Sequence, residues 1–168
     1  MIRTFLLVST LLLLTACGFH LRGTGAPALD VQRVALSGSP RDLIDELGDT
    51  LKTIGVSVGG DGEPEYRINL ANESLTRRAV ASSGAITVSE YEVRIVAIFS
   101  IFDAEGKELI PASELVAERV YSFDATNFVS NTEEEALLIE EMRQDIAGQL
   151  VRRFSATLRN QTETASES

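Results

Sequence analysis

Residues 86–102, ITVSEYEVRIVAIFSIF, form the longest strand-like run of the chain. Apolar side chains occupy every second position of this run, which is the period of a β-strand with one face on a protein core. The core-facing positions are Tyr91, Val93, Ile95, Ala97, Phe99 and Ile101. The alternate residues Val96, Ile98 and Phe102 are also apolar. The second face is therefore expected either to be buried within a more fully covered sheet or to meet a partner.

Strand patterns also occur on both sides of this run. Residues 66–71 alternate apolar and polar side chains, and the alternation fades at residues 72–74 before it resumes at residues 75–80. Residues 103–106, DAEG, are typical of a turn, so residues 115–123 are expected to return as the second strand of a hairpin.

Earlier in the chain, residues 31–36 predict a first strand, and Val56 and Val58 suggest a short edge strand. Two further segments have helical periodicity. Pro40 is expected to open the first helix with Ser39 as its N-cap, and Gly55 is expected to end it. Its apolar face consists of Leu43, Leu47, Leu51 and Ile54.

The second helix is expected to be capped by Asn131 or Thr132. Its apolar stripe consists of Leu138, Met142, Ile146, Leu150, Phe154 and Leu158. Together the elements predict an α+β domain in which two α-helices pack on one face of a four-stranded, mainly antiparallel β-sheet. We expect this domain at residues 29–159, followed by a disordered polar tail at residues 160–168.

The chain begins with residues 1–16, MIRTFLLVSTLLLLTA, which have the pattern of a secretory signal peptide. The apolar part is shorter than the roughly 20 residues needed to cross a bilayer. The site before Cys17, the only cysteine, resembles a bacterial lipobox and predicts acylation of this residue. Residues 17–28 would then be a tether, and Gly18, in the place where an aspartate would favour the inner membrane, favours the outer membrane. The alternative is an ordinary signal peptide that leaves an unmodified cysteine.

The charge of the chain limits its partners. Its net charge is −10, and residues 17–168 retain 14 Lys and Arg against 25 Asp and Glu, which makes −11. An acidic chain lacks the basic field that nucleic-acid binding requires, so no nucleic-acid partner is expected. Electrostatic attraction to an anionic membrane is disfavoured as well, so the predicted lipid would provide the anchor.

Few residues could support catalysis. His20, the only histidine, lies beside the predicted anchor, and Cys17 is consumed by the predicted acylation, so no catalytic triad, metal site or cofactor is expected. The acidic runs 133–135 and 140–141 are typical of the solvated face of a helix. Residues 59–62, GGDG, lack the Lys-Ser/Thr of a phosphate loop and indicate a turn.

Arg77 and Arg78 are the candidate binding residues. Two adjacent guanidinium groups in an acidic protein would suit a phosphate or another anion. The alternative is two solvated arginines paired with nearby Glu73 or Glu90.

Residues 17–23, CGFHLRG, resemble the mature start of the LptE family of lipopolysaccharide-assembly lipoproteins. The resemblance continues through the order of the elements, Ile110-Pro111, residues 119–123, RVYSF, and residues 149–153, QLVRR. It implies two helices on a four-stranded sheet and an anchor, through Cys17, in the inner leaflet of the outer membrane on the periplasmic side.

The resemblance also implies a function. Such proteins plug the LptD β-barrel in a one-to-one complex, help it to fold and bind lipopolysaccharide through basic residues in loops at one end of the sheet. Residues 82–85 and 127–132 carry no basic residue here, so Arg77 and Arg78 are the nearest substitutes. On this basis the chain is expected not to be an enzyme.

Two alternatives belong to other functional classes. One is a free periplasm-facing lipoprotein that binds a lipid or small amphiphile in a cleft between the helices and the sheet. The other is a hydrolase that uses carboxylates such as Asp103 or Asp124.

Overall fold

The computed structural model describes residues 29–83, 87–124 and 126–166. The elements are β1 (Arg33–Gly38), α1 (Arg41–Thr53), β2 (Ser57–Val58), β3 (Tyr66–Ser83), β4 (Thr87–Asp103), β5 (Glu108–Ser122) and α2 (Phe128–Ser166). The predicted signal peptide, Cys17 and the tether at residues 17–28 lie outside the described residues, so the statements about them stay predictions.

The strands form one mixed sheet in the order β2-β1-β3-β4-β5. β1 runs parallel to β2 and β3, whereas β3, β4 and β5 are antiparallel neighbours. The predicted α+β class is confirmed, but the prediction of four strands is wrong because β2 adds a fifth. The short edge strand suggested by Val56 and Val58 is confirmed as β2, which was left out of the strand count because two residues are too few for a periodic pattern. Its pairing with β1 is accompanied by a hydrogen bond from Ser57 N–H to Gln32 C=O of 2.9 Å.

β3 is one continuous strand of 18 residues, as the alternation that fades at residues 72–74 and resumes at residue 75 predicted. Its register with β4 shifts between Leu70 and Asn72, which is a β-bulge that leaves Ala71 out of the pairing. The bulge explains the fading alternation: Ile68 and Leu70 face the core before it, and the odd-numbered residues from Glu73 to Ala79 share that face after it. We call residues 66–70 the inner segment of β3 and residues 72–83 its outer segment.

The core lies between one sheet face and the two helices. In β4, five of the six predicted core residues are fully buried, and β3 adds Ile68 and Leu70. The helices contribute Leu43, Leu47 and Leu51 from α1 and Met142, Ile146, Leu150 and Phe154 from α2. The predicted apolar faces of both helices are therefore confirmed. Burying these aliphatic and aromatic side chains contributes about 1.5–3 kcal/mol each to folding.

The predicted helix starts are wrong in detail. Pro40, not Ser39, precedes the first residue of α1, and its apolar ring cannot cap the helix. The Ser39 N–H donates to Leu70 C=O at 2.9 Å. α2 begins at Phe128, one turn before its predicted cap. Asn131 lies inside this first turn and is buried. Its side chain bonds the Asp124 backbone in both directions, at 2.6 and 3.1 Å.

Residues 160–166, for which the sequence predicted a disordered tail, instead continue α2 through Ser166. The Thr162 hydroxyl donates to Leu158 C=O at 3.1 Å, and the helical backbone simply propagates from the packed part of α2. Extending an existing helix costs little, so polar composition alone does not end it. By contrast, the predicted end of α1 is confirmed: Gly55, with a φ of 89°, follows its last turn.

Candidate functional site

Arg77 and Arg78 point to opposite faces of the sheet. In the β3–β4 register Arg77 is opposite Val93, a core residue, and Arg78 is opposite Glu92. Because directly paired residues share a face, Arg77 lies on the face that the helices cover and Arg78 on the helix-free face. The two guanidinium groups therefore do not form the joint anion site that their adjacency suggested.

Each arginine has a carboxylate partner, but neither partner is the predicted Glu73 or Glu90. Arg77 Nη1 lies 2.8 Å from Glu135 Oε2 on α2. Arg78 makes a bidentate pair with Glu92, with distances of 2.6 and 3.0 Å. The prediction missed these partners because cross-strand and strand-to-helix neighbours lie far apart in the sequence. Whether either arginine binds lipopolysaccharide stays a prediction.

Arg77 belongs to an aromatic cluster beneath the start of α2. Its guanidinium lies 4.5 Å from the ring centroid of Tyr91, a cation–π contact. Tyr91 stacks on Tyr121 at 5.9 Å and meets Phe123 edge-on at 5.2 Å. The Tyr121 hydroxyl and Arg77 both donate to Glu135 Oε2. The cluster thus fastens β3, β4 and β5 to α2.

The ionisation states in this cluster are fixed by its geometry. Burial, followed by the hydrogen bond to Glu135 and its charge, raises the pKa of Tyr121 to about 12. Burial also acts to raise the pKa of Glu135, but the hydrogen bonds from Tyr121 and Arg77 outweigh it and the net pKa is lowered. At neutral pH the phenol is therefore protonated and the carboxylate is charged.

A cleft of about 410 Å³ opens beside the cluster, between α2 and the sheet. Its lining consists of Arg77, Tyr121, Phe123, Asn131, Thr132, Glu135, Ala136 and Ile139. The cleft combines aromatic and aliphatic walls with one ion pair. It lies where the amphiphile-binding alternative expects a ligand.

A second charged cluster marks the end of β1. The guanidinium of Arg143 lies 3.0 Å from Asp42 on α1 and 2.9 Å from Glu73 on β3, whose side chain is only 6% exposed. One arginine thereby ties both helices to the sheet. Sequence reasoning missed it, because no local pattern links residues 70 positions apart.

Apolar side chains are exposed mainly around the outer segment of β3 and the start of α2. In the outer segment Leu75 is 46% and Val80 41% exposed, and in α2 Val129 is 68% and Leu137 63% exposed. Val120 on β5 is 55% exposed. On the helix-free face, Val96, Ile98 and Phe102 are only half-buried, and neither helix packs on them. The proposal that a partner covers this face stays a prediction.

The carboxylates proposed for a hydrolase have structural roles. Asp103 Oδ1 accepts from Lys107 N–H at 2.7 Å and closes the β4–β5 turn. Asp124 Oδ1 accepts from the Thr126 hydroxyl and N–H, bonds that lower the pKa of Asp124. Within the described part of the chain, no group of three or more His, Cys, Asp or Glu side chains is placed to bind a metal.

The predicted solvated acidic runs are mostly confirmed. Glu133, Glu134, Glu140 and Glu141 are exposed. Glu135 is the exception, since it turns toward Tyr121 and Arg77. The helical period could have predicted this orientation, because Glu135 lies seven residues, or two helical turns, before the buried Met142 and therefore on the same face of α2.

A comparison with models of protein families identifies the family of this chain. The model of LptE, described as "Lipopolysaccharide-assembly", matches residues 31–154. The chain belongs to the LptE family. The predicted resemblance to this family is thereby confirmed over residues 31–154, whereas residues 17–23 lie outside the match.

Solved structures share the LptE fold of this chain. The NMR structure of an uncharacterized lipoprotein B from Nitrosomonas europaea has a TM-score of 0.70 and 23% identity, over 84% of this chain and 93% of that one. Rare lipoprotein B from Shewanella oneidensis has a TM-score of 0.68 and 20% identity, over 78% and 99%. A minor lipoprotein from Acinetobacter baumannii has a TM-score of 0.62 and 25% identity, over 76% and 93%. Comparison with curated protein sequences gave no significant match.

The described helices were also compared with the requirements of a membrane span. Neither α1 nor α2 combines the length and the hydrophobicity that crossing a bilayer requires.

Proposed function

We propose that this LptE-family chain is a non-enzymatic lipoprotein, anchored on the periplasmic side of the outer membrane, that plugs the LptD β-barrel and helps it to assemble. In this role it takes part in lipopolysaccharide transport and insertion. The family match over residues 31–154 carries the proposal. The predicted lipobox at Cys17 and the catalytically unremarkable carboxylates agree with it.

The surface of the domain is compatible with a plug. Exposed apolar side chains gather around the outer segment of β3 and the start of α2, where a partner would cover them. The half-buried apolar residues on the helix-free face offer a second contact area. Obligate partners commonly bury apolar surfaces of this kind.

The first test is the isolation of the tagged, lipidated protein from outer membranes in mild detergent, with the partners identified by mass. We expect one large barrel protein in a near one-to-one amount. A Cys17→Ala variant serves as the control for the anchor and should be lost from the membrane fraction. Recovery of the lipoprotein alone would contradict the LptD assignment, and the cleft of about 410 Å³ would then favour the amphiphile-binding alternative.

The second test concerns lipopolysaccharide. We propose that Arg77 and Arg78 contribute to its binding, each from its own face of the sheet. Arg77→Glu and Arg78→Glu should each weaken binding to immobilised lipopolysaccharide, because each replaces a phosphate-binding charge by a repulsive one. Arg152→Glu, far from the cleft on α2, is the matched charge control. Equal weakening in all three variants would indicate a general charge effect and contradict the proposal.

A further inference from the structure

The outer segment of β3 is an open sheet edge. β1 accompanies β3 only as far as the pair Gly38 and Leu70. β4 continues on the other side to the pair Ser83 and Thr87. Along the outer segment, the backbone groups that point away from β4 therefore have no strand partner among the described residues. Open edges of this kind are templates for an added strand.

The opposite edge of the sheet is protected in ways that the outer segment is not. β5 contains Pro111, which removes one backbone donor, and the Gln149 side chain donates to Val116 C=O at 3.2 Å. The outer segment reads NESLTRRAVASS and has neither proline nor lysine. These devices commonly keep edge strands from pairing. The outer segment does carry charges at Glu73, Arg77 and Arg78 and a second register shift between Ala79 and Ser82. Residues 72–79, however, pair with β4 without interruption and contain no proline, so this part of the β3 edge is the more accessible one.

The space beside this edge is open because β1 ends, and α1 begins, at the same level along β3. β1 ends at Gly38, and α1 begins at Arg41, directly after it. The Asp42–Arg143–Glu73 cluster marks this level on α1, α2 and β3. Beyond Glu73 no described strand replaces β1, while α2 continues above the sheet to Phe128. A strand added there would take the position that β1 leaves.

The side chains along the edge indicate which segment would fit. On the helix side, Leu75 is 46% exposed, and the cleft lies next to Arg77. The other side of the strand carries polar residues, with Ser74, Thr76 and Arg78 in register with the helix-free face of β4. An added strand would therefore meet an apolar surface on one side and a polar one on the other.

We propose that the outer segment of β3 accepts an extended segment of a partner protein as an added β-strand. The partner segment alternates apolar and polar residues, with its apolar side chains toward Leu75 and the cleft beneath α2. This inference goes beyond the proposed function and does not depend on the identity of the barrel partner.

The test uses the mature lipidated chain in detergent and a soluble peptide that alternates valine and threonine. Backbone amide exchange is followed by mass spectrometry with and without the peptide. Exchange in residues 72–80 should slow by about tenfold, while exchange in β5 stays unchanged. The same peptide with N-methyl groups on alternate residues, which cannot pair along one edge, should have no effect.

Two variants locate the contact. Leu75→Lys places a charge beside the proposed strand and should weaken peptide binding by about tenfold. Val120 is a similarly exposed aliphatic residue on β5, at 55% against 46% for Leu75, and the Val120→Lys variant should bind the peptide as the wild type does. Thermal unfolding of both variants checks that they are folded.

Three outcomes would overturn the proposal. The first is the absence of protection by the alternating peptide, or equal protection by its N-methylated form. The second is undiminished binding to Leu75→Lys. The third is concentration-dependent protection of residues 72–80 without any peptide, which would assign the edge to a second copy of the chain.

Discussion

The inner and outer segments of β3 belong to one strand but have different surroundings. The inner segment pairs with β1 and β4, and its Ile68 and Leu70 are buried. The outer segment pairs with β4 alone, and its residues 74–80 are exposed. The difference indicates that the two segments of the strand have different roles. The inner segment stabilises the domain, and the outer segment remains available for contacts.

The most direct test of this difference is to truncate one aliphatic side chain in each segment. Ile68→Ala should lower the free energy of unfolding by about 3 kcal/mol, because Ile68 is fully buried and leaves a cavity. Leu75→Ala, at an exposed site, should cost less than about 1 kcal/mol. Urea unfolding of both variants measures the difference. Similar losses would mean that the outer segment is also part of the core.

The boundary between the segments can be tested at Arg143. Arg143→Met would leave the carboxylate of Glu73 buried and unpaired, and should cost about 3 kcal/mol. Arg94→Met breaks the exposed Arg94–Glu118 pair and serves as the control, with a loss below about 1 kcal/mol. The two losses are again compared by urea unfolding. A loss for Arg143→Met no larger than the control would show that α1 and α2 do not depend on this cluster.

The sequence predicted the inner segment and the helices better than the outer segment. Period-two and helical patterns identify residues such as Ile68 and Leu47 because their burial repeats regularly along the chain. The bulge at Ala71 shifts that pattern by one residue, which appears in the sequence only as a fading alternation at residues 72–74 and not as a recognisable bulge. β2 was underestimated for another reason: two residues cannot show a period.

The candidate site was predicted only in part. The charges of Arg77 and Arg78 suggested one joint site. Adjacent residues of a strand point to opposite faces, however, and the structure separates the two arginines in this way. Their partners, Glu135 and Glu92, depend on how the helix and the strands come together. Such long-range pairs arise from tertiary packing, and a single sequence contains no local pattern for them.

A pH titration of stability tests the hydrogen bond between Tyr121 and Glu135 at the outer end of the sheet. The pKa of Tyr121 is raised from 10 to about 12, mainly by burial and then by its bond to Glu135. The folded phenol thus holds its proton more tightly than the unfolded one. The resulting stabilisation is complete below pH 10 and is lost as the pH rises toward 12.

Tyr121→Phe removes this titration. Its free energy of unfolding should fall less steeply between pH 10 and 12 than that of the wild type. At neutral pH the variant should be less stable by about 1 kcal/mol, because Glu135 loses one donor. Urea unfolding across this pH range measures both effects, and parallel pH profiles for the two proteins would contradict the assignment.

The smallest effect is expected where the two arginines of the outer segment are compared. Arg77→Ala removes the contact with Tyr91 and one partner of Glu135, and should cost about 1 kcal/mol. The Arg78 side chain is 72% exposed, so Arg78→Ala should leave the unfolding midpoint at the wild-type value. Equal shifts in both variants would contradict the separation of the two faces. Where the unfolding midpoint of Arg78→Ala equals that of the wild type, a loss of lipopolysaccharide binding in this variant reports directly on ligand contact. The same loss in Arg77→Ala would combine ligand contact with rearrangement of the aromatic cluster.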